Sequence, residues 1–353
     1  MNMQKSILLF VFGLFVATNV EAQTTKRTLF LGNSYTYVNN LPQITADIAT
    51  SMLDTLLFDG NNIGGYTLQA HSTDAVSLAK IAVGNWDFVV LQEQSQRPSF
   101  PISDVQTLVF PFAARLDSLI NAQNTHAETM FYRTWGRKNG DAQNCAFFAP
   151  LCTYNGMDSL LNERYLTMAT ANHGVVSPVG AVWKYLRQHN STIELYDADE
   201  SHPSQAGSYA AACCFYTAIF RRNPLNIPYN YTLSIADAGA IKNAVKTVLF
   251  DDFLTWHIGE YDVLATKNTA QNTIKKRELV CIPNPVLNEV LIKLPSINVG
   301  KITVFDSAGK SYSSNFRKND NTVSIDFARF SAGVYFIKIE IEGEIWTGKV
   351  VKN

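Results

Sequence analysis

The stretch "TLFLGNSYTYVNN", residues 28–40, decides how this chain is read. A short apolar run ends in Gly32, and Asn33 and Ser34 follow before a set of polar and aromatic residues. A run of that length bounded by turn residues fits a strand buried on both faces, as strands are in a parallel sheet. In an open α/β sheet, binding sites form outside the carboxyl ends of the strands. Ser34 at such an end is either the cap of the next helix or a nucleophile held out by the turn.

Moving outward, strand-like and helix-like patterns alternate from residue 27 to about 262. The strand-like runs are "RTLFLG", "WDFVVLQ", "HAETMFYRTW" and "HGVVSPVG". Helical periodicity covers residues 41–56, 73–83, 103–120, 157–171 and 179–188, and two more helices follow at 204–222 and 234–256. Short strands joined by helices of this length predict βαβ units, hence a parallel sheet with helices on both faces. The segment 263–278, "VLATKNTAQNTIKKRE", is polar and reads as a linker. After it the period becomes two: "EVLIKL", "KITVFD", "TVSIDF" and "GVYFIKIEI" alternate, with turn signals such as "DSAGK" between them. Residues 279–353 therefore predict a small C-terminal β-sandwich.

The chain has 353 residues, 46% of them hydrophobic, so it can bury a sizeable core in each of two domains. Its formal net charge of -1 gives no electrostatic footprint for nucleic acid. The first 22 residues carry Lys5, an apolar run over 7–17 and a small-residue pair at Val20 and Ala22. That pattern predicts a cleaved signal peptide, with residue 23 as the mature start and no transmembrane segment in the mature protein. The apolar run is too short to span a bilayer. Five cysteines is an odd count for an exported chain. Cys145 and Cys152 stand seven apart in one loop and are a candidate disulfide, Cys213 and Cys214 read as buried thiols on an apolar helix, and Cys281 stands alone. No metal-binding spacing is present.

The second stretch with chemical content is "DADESHPSQAG", residues 197–207. Asp199 and His202 are three apart just before a helix, a spacing that lets a carboxylate hold one imidazole nitrogen and fix the tautomer. A solvated acidic loop with a surface histidine is the plainer alternative. Ser34 and this pair together favour a Ser-His-Asp arrangement.

With those residues in view, the sequence resembles the SGNH hydrolases, or GDSL-like esterases, over about residues 26–223 and as far as 262. Gly32-Asn33-Ser34 is similar to their first block and Asp199-Glu200-Ser201-His202 to their last. The resemblance implies a flavodoxin-like three-layer parallel sheet over 23–262. It also implies Ser34 as nucleophile, His202 as general base then acid, and Asp199 as orienter. Asp197 is the second choice for orienter. The oxyanion hole implied is the Ser34 N–H, the N–H of Gly65 (Gly64 less well placed) and an amide at the end of the third block. There the family has Asn, whereas "WDFVVLQEQSQ" offers Gln92, then Gln94, then Gln96. A Gln here also resembles the carbohydrate-acetylesterase branches. Further pocket candidates are Tyr35, Asn39, His71, Trp135 as a sugar-stacking platform, and Arg137.

The activity implied is a serine esterase needing no cofactor or metal, acting on an acetylated glycan or another small ester. The alternatives are a non-catalytic glycan-binding protein on this fold, or a short-chain lipase or thioesterase. The C-terminal module, through "PNPVLNEVLIKL", "VFDSAGK", "FSAGVYFIKI" and "GKVVKN", resembles the type A sorting domain of the Bacteroidetes type IX secretion system. That resemblance implies the secretion machinery as a partner and a secreted or surface-attached enzyme. A carbohydrate-binding sandwich is the other reading of the module.

Overall fold

The computed structural model describes residues 23–261, 279–294, 299–306, 310–312, 316–319, 322–341 and 344–353. The signal peptide expected over 1–22 and the linker expected over 263–278 lie outside the described residues. The chain divides into two compact units, Met1–Ala270 and Gln271–Asn353.

In the first unit, β1 (Thr25–Gly32) is followed by α1 (Ser34–Tyr37), α2 (Leu41–Ser51) and β2 (Thr55–Asn62). Then come α3 (Leu68–His71), α4 (Ala75–Ala82), β3 (Phe88–Leu91), α5 (Ile102–Leu108), α6 (Phe110–Gln123) and β4 (Glu128–Tyr132). The unit is completed by α7 (Tyr154–Ala171), β5 (Val175–Ser177), α8 (Val179–His189), α9 (Gln205–Phe220) and α10 (Ile235–Val248). All pairings are parallel, in the order β2-β1-β3-β4-β5. This is the flavodoxin-like doubly wound order, whose switch point lies between β1 and β3. Helices α2, α8, α9 and α10 pack together in one layer, and α3, α4, α6 and α7 in the other. Thirteen residues of α9 are buried, which explains why it is apolar all round. Burial pushes the Cys213 thiol up to about 12, so it is an inert core thiol.

Three expectations need correction. The helix expected over 234–256 ends at Val248, and a 3₁₀ segment (Phe250–Trp256) kinked at Asp252 follows it. The helix expected over 41–56 stops at Ser51, and the chain turns through Leu53 at φ 64° into the edge strand β2. Most of β2 is half or fully exposed and carries Asp59, Asn61 and Asn62, so it lacks the apolar run that marks its neighbours. The helix expected over 103–120 is two helices, broken at Val109 (φ −126°) before Pro111.

Among the described residues the second unit holds two antiparallel four-stranded sheets built from β6 (Cys281–Ile282), β7 (Glu289–Lys293), β8 (Val299–Asp306), β9 (Ser311–Tyr312), β10 (Phe316–Asn319), β11 (Thr322–Asp326), β12 (Gly333–Ile341) and β13 (Glu344–Lys352). Their orders are β10-β11-β7-β6 and β13-β12-β8-β9. Strand β7 alternates exposed and buried residues, and its Val290 and Ile292 join Val323, Ile325, Ile337, Ile339 and Val350 in a separate core. Among the described residues no helix is long and apolar enough to cross a membrane.

Candidate active site

Ser34 is the first residue of α1, two residues past the end of β1. Gly32 is required there by crowding rather than by a left-handed backbone: a Cβ would stand 2.3 Å from Thr36 Oγ1 and 2.8 Å from Gln92 Oε1. Asn33 caps α1, its Oδ1 accepting from Tyr35 N (3.2 Å), while its Nδ2 donates to Tyr66 O (2.9 Å) and Glu93 O (3.3 Å). Ser34 thus sits on a turn pinned to the loops that follow β2 and β3.

The loop 197–203 comes to the same edge of the sheet. Tyr196 and Pro203 form an isolated antiparallel bridge, and Asp197 N donates to His202 O (2.8 Å), closing the loop on itself. His202 Nε2 lies 2.8 Å from Ser34 Oγ. His202 Nδ1 is hydrogen-bonded to Asp199 Oδ2, and Asp199 Oδ1 accepts from the N–H groups of His202 (2.9 Å) and Ser201 (3.0 Å). Partial burial opposes ionisation of Asp199, but the His202 side-chain bond and these two N–H groups outweigh it and hold the carboxyl below its usual value. Asp197 accepts from Ala198 N instead and does not touch the imidazole.

An aromatic stack braces this loop from beneath. The Tyr35 ring lies edge-on to His202 (5.4 Å between centroids) and flat on Trp135 (4.6 Å), which is flat on Trp183 (3.7 Å). Tyr35 Oη is hydrogen-bonded to Ser201 Oγ (2.7 Å), and Trp135 Nε1 donates to Ser201 O (3.0 Å). Tyr35→Phe keeps the ring and removes one buried hydrogen bond. It is expected to cost about 1 kcal/mol, read as a Tm lower by roughly 2–4 °C, with a severalfold loss of kcat. An unchanged Tm would mean that the hydroxyl does not hold the loop.

Several sequence-based assignments are redirected by this geometry. Trp135 is fully buried, so no sugar can stack on it. Gln92 is also fully buried and points inward. Its Oε1 accepts from Asn33 N (3.1 Å) and Thr36 Oγ1 (2.6 Å), and its Nε2 donates to Asn33 Oδ1 (2.6 Å) and Glu93 O (3.3 Å). With both amide hydrogens engaged it braces the Ser34 turn and has none for an oxyanion. Gln94 uses one, donating to Gln96 Oε1 (3.0 Å). His71 is buried between Ser77 Oγ (2.8 Å) and Gly32 O (3.0 Å), and burial lowers its pKa. It supports the end of β1 rather than lining a pocket. Asn39 donates to Pro203 O (3.1 Å) and Ser208 Oγ (3.0 Å), tying the segment after Ser34 to the histidine loop and α9. Arg137 pairs with buried Asp141 (3.1 Å), on which Gln96 Nε2 and Asn144 Nδ2 also converge at 2.7 Å. Cys145 and Cys152 are disulfide-bonded in the loop that follows.

Gly65 has φ +71°, a backbone that favours glycine, and open space where a Cβ would project. Among the described residues no hydrogen bond runs from the N–H of Gly65 or of Ser34 to a protein acceptor. Three contributors were not singled out from the sequence: Asn33, Ser201 and Glu93. Asn33 carried a readable signal, since Asn before a short helix is a favoured cap.

Comparison with known proteins bears on the sheet that carries these residues. The N-terminal fold is similar to that of a DUF4886 family protein from Bacteroides uniformis ATCC 8492, at 17% identity over 65% of this chain and 95% of that one, TM-score 0.56. Neighbours among the solved structures include SGNH and GDSL-like hydrolases. A protein from Slackia heliotrinireducens described as an SGNH hydrolase is 28% identical over 54% of this chain and 97% of that one, TM-score 0.45. The acetyl xylan esterase AlAXEase is 15% identical over 55% and 99%, TM-score 0.39. No curated protein matches the chain. Residues 281–353 match the family model of the secretion system C-terminal sorting domain. The chain therefore carries a type IX-type sorting module, which addresses it to the cell surface or the medium.

Proposed function

We propose that this protein is an exported serine ester hydrolase that removes short acyl groups, acetyl foremost, from glycan hydroxyls, and that residues 1–22 are its signal peptide. The observation that supports it is the unbroken relay from Ser34 Oγ through His202 to Asp199. In this reading Ser34 Oγ attacks the acyl carbonyl carbon while His202 Nε2 takes the hydroxyl proton. Asp199, held ionised, stabilises the imidazolium that results. The N–H groups of Ser34 and Gly65 bind the oxyanion, with the second amide hydrogen of Gln94 as a third donor. Collapse breaks the bond to the alkoxy group, which leaves with the proton from His202. Water, deprotonated by His202, then attacks the acyl-enzyme and frees acid and Ser34.

The glycan side of the reading draws on a cleft of about 510 Å³ beside the histidine loop, lined by Asp197, Glu194 and Gln205, polar side chains of the kind that bind hydroxyl groups. The test is a comparison of 4-nitrophenyl acetate with butyrate and longer esters, followed by acetylated oligosaccharides. The expected order is acetate at least tenfold above butyrate in kcat/KM. A tenfold preference for butyrate or longer chains would replace the glycan reading with a lipase or thioesterase. No turnover of any ester by the folded protein would leave a binding protein.

A further inference from the structure

Glu93 is a carboxylic acid with no solvent exposure, two residues beyond the end of β3 and among the loops that surround Ser34. Burying a carboxyl is costly unless its oxygens are well used. Its Oε1 accepts from Gln94 N (2.6 Å) and its Oε2 from Leu68 N (3.2 Å). Leu68 opens α3 directly after Gly65, Tyr66 and Thr67, so this second bond holds the segment that carries Gly65. The main-chain oxygen of Glu93 accepts from Asn33 Nδ2 and Gln92 Nε2, both at 3.3 Å, which holds the turn that carries Ser34. Asn33 Nδ2 also donates to Tyr66 O (2.9 Å), closing a ring through the same three segments.

We propose that Glu93 is a positioning residue: its carboxylate fixes the Gly65 segment against the Ser34 turn so that their N–H groups converge on the oxyanion, and its protonation releases that segment. The inference rests on the ester-hydrolysis reading. The reason is hydrogen-bond arithmetic. A carboxylate presents two acceptor oxygens to two N–H donors, whereas a carboxylic acid presents one acceptor and one donor. The donor would face an N–H, and the longer bond, to Leu68, is the one lost.

Burial pushes the Glu93 carboxyl up to about 7, although the Gln94 and Leu68 N–H groups and Arg97 pull the other way. The charged and titratable groups that bear on it are Arg97 in its own loop and Tyr165 on α7, whose hydroxyl accepts from Glu93 N (3.3 Å). Helix α3 brings His71, but both of its nitrogens are taken by Gly32 and Ser77. The partners just past β1 and β3, Asn33 and Gln92, are neutral.

Stability and activity should then respond to pH in opposite senses. A carboxyl raised on folding stabilises the protein below its unfolded pKa, and that contribution is lost as pH rises through about 7. Activity, which needs the carboxylate, rises over the same interval.

The experiment uses the full chain with 4-nitrophenyl acetate, comparing wild type, Glu93→Gln and Ser34→Ala from pH 5 to 9. The expected wild-type kcat falls on the acid side with a slope above one proton, because His202 and Glu93 both contribute. Glu93→Gln should lose about tenfold to a hundredfold in kcat at pH 8, keep KM within twofold and show a one-proton acid limb. Its Tm, followed by tryptophan fluorescence, should lack the decline from pH 5.5 to 8 seen in wild type; four of the five tryptophans report on the N-terminal unit. Glu93→Gln kcat within twofold of wild type at every pH overturns the proposal, as do parallel Tm curves, which need no substrate. Should the variant fail to fold, a wild-type one-proton limb that overlays the NMR titration of His202 overturns it. Turnover surviving in Ser34→Ala would instead sink the hydrolysis reading itself.

Discussion

Ser34→Ala is expected to lower kcat/KM for 4-nitrophenyl acetate by about 10⁴-fold or more while leaving Tm unchanged. The size follows from how such groups act: nucleophile and base work as a unit, and removing either costs nearly as much as removing both. The Ser34 hydroxyl bonds to His202 Nε2 and the side chain is half-buried, so alanine leaves no cavity and strands no buried donor. His202→Ala should fall to the same level, and the double variant should be no worse than either single one. Full additivity would mean that the two side chains act separately, and the 2.8 Å contact would then be incidental. The residual activity has a predictable source as well. In the proposed mechanism the main-chain donors of Ser34 and Gly65 survive both substitutions and would still bind a developing oxyanion.

How much of this arrangement could be read from the chain depends on the range of the interactions involved. Strands β1, β3, β4 and β5 were legible because both their faces are buried, which leaves an unbroken apolar run. Edge strand β2 was not, since Asp59, Asn61 and Asn62 meet solvent and the residues before it continue a helical period. Ser34, Asp199 and His202 were legible through local signals, a turn after a strand and a three-residue spacing. The direction of an amide was not. Gln92 occupies the strand end where a donor was expected, yet it folds back on Asn33 and Thr36, partners 59 and 56 residues away. Glu93 carried no signal at all, because a carboxylate in a polar stretch reads as solvated until the fold closes over it.

Trp135 shows the same limit in its sharpest form, and its replacement should have the largest effect on stability. Placed just past a strand end and followed by Gly136 and Arg137, it reads as a platform for a sugar ring. The fold instead encloses it between Tyr35 and Trp183 and joins its indole N–H to Ser201 O. Truncating a fully buried Trp costs about 3–5 kcal/mol, so Trp135→Ala should lower Tm by roughly 10 °C. It should also lower kcat, because Tyr35 loses the face on which it rests and the histidine loop loses a tether. Trp135→Phe isolates the second effect. The aromatic stack persists, Ser201 O loses its donor, and kcat should fall severalfold with KM unchanged, since no substrate atom can reach the ring. A platform would behave in the opposite way, with Tm held and KM raised for glycans but not for 4-nitrophenyl acetate. Because the ring is sealed on both faces, the fall in kcat should be the same for both substrates.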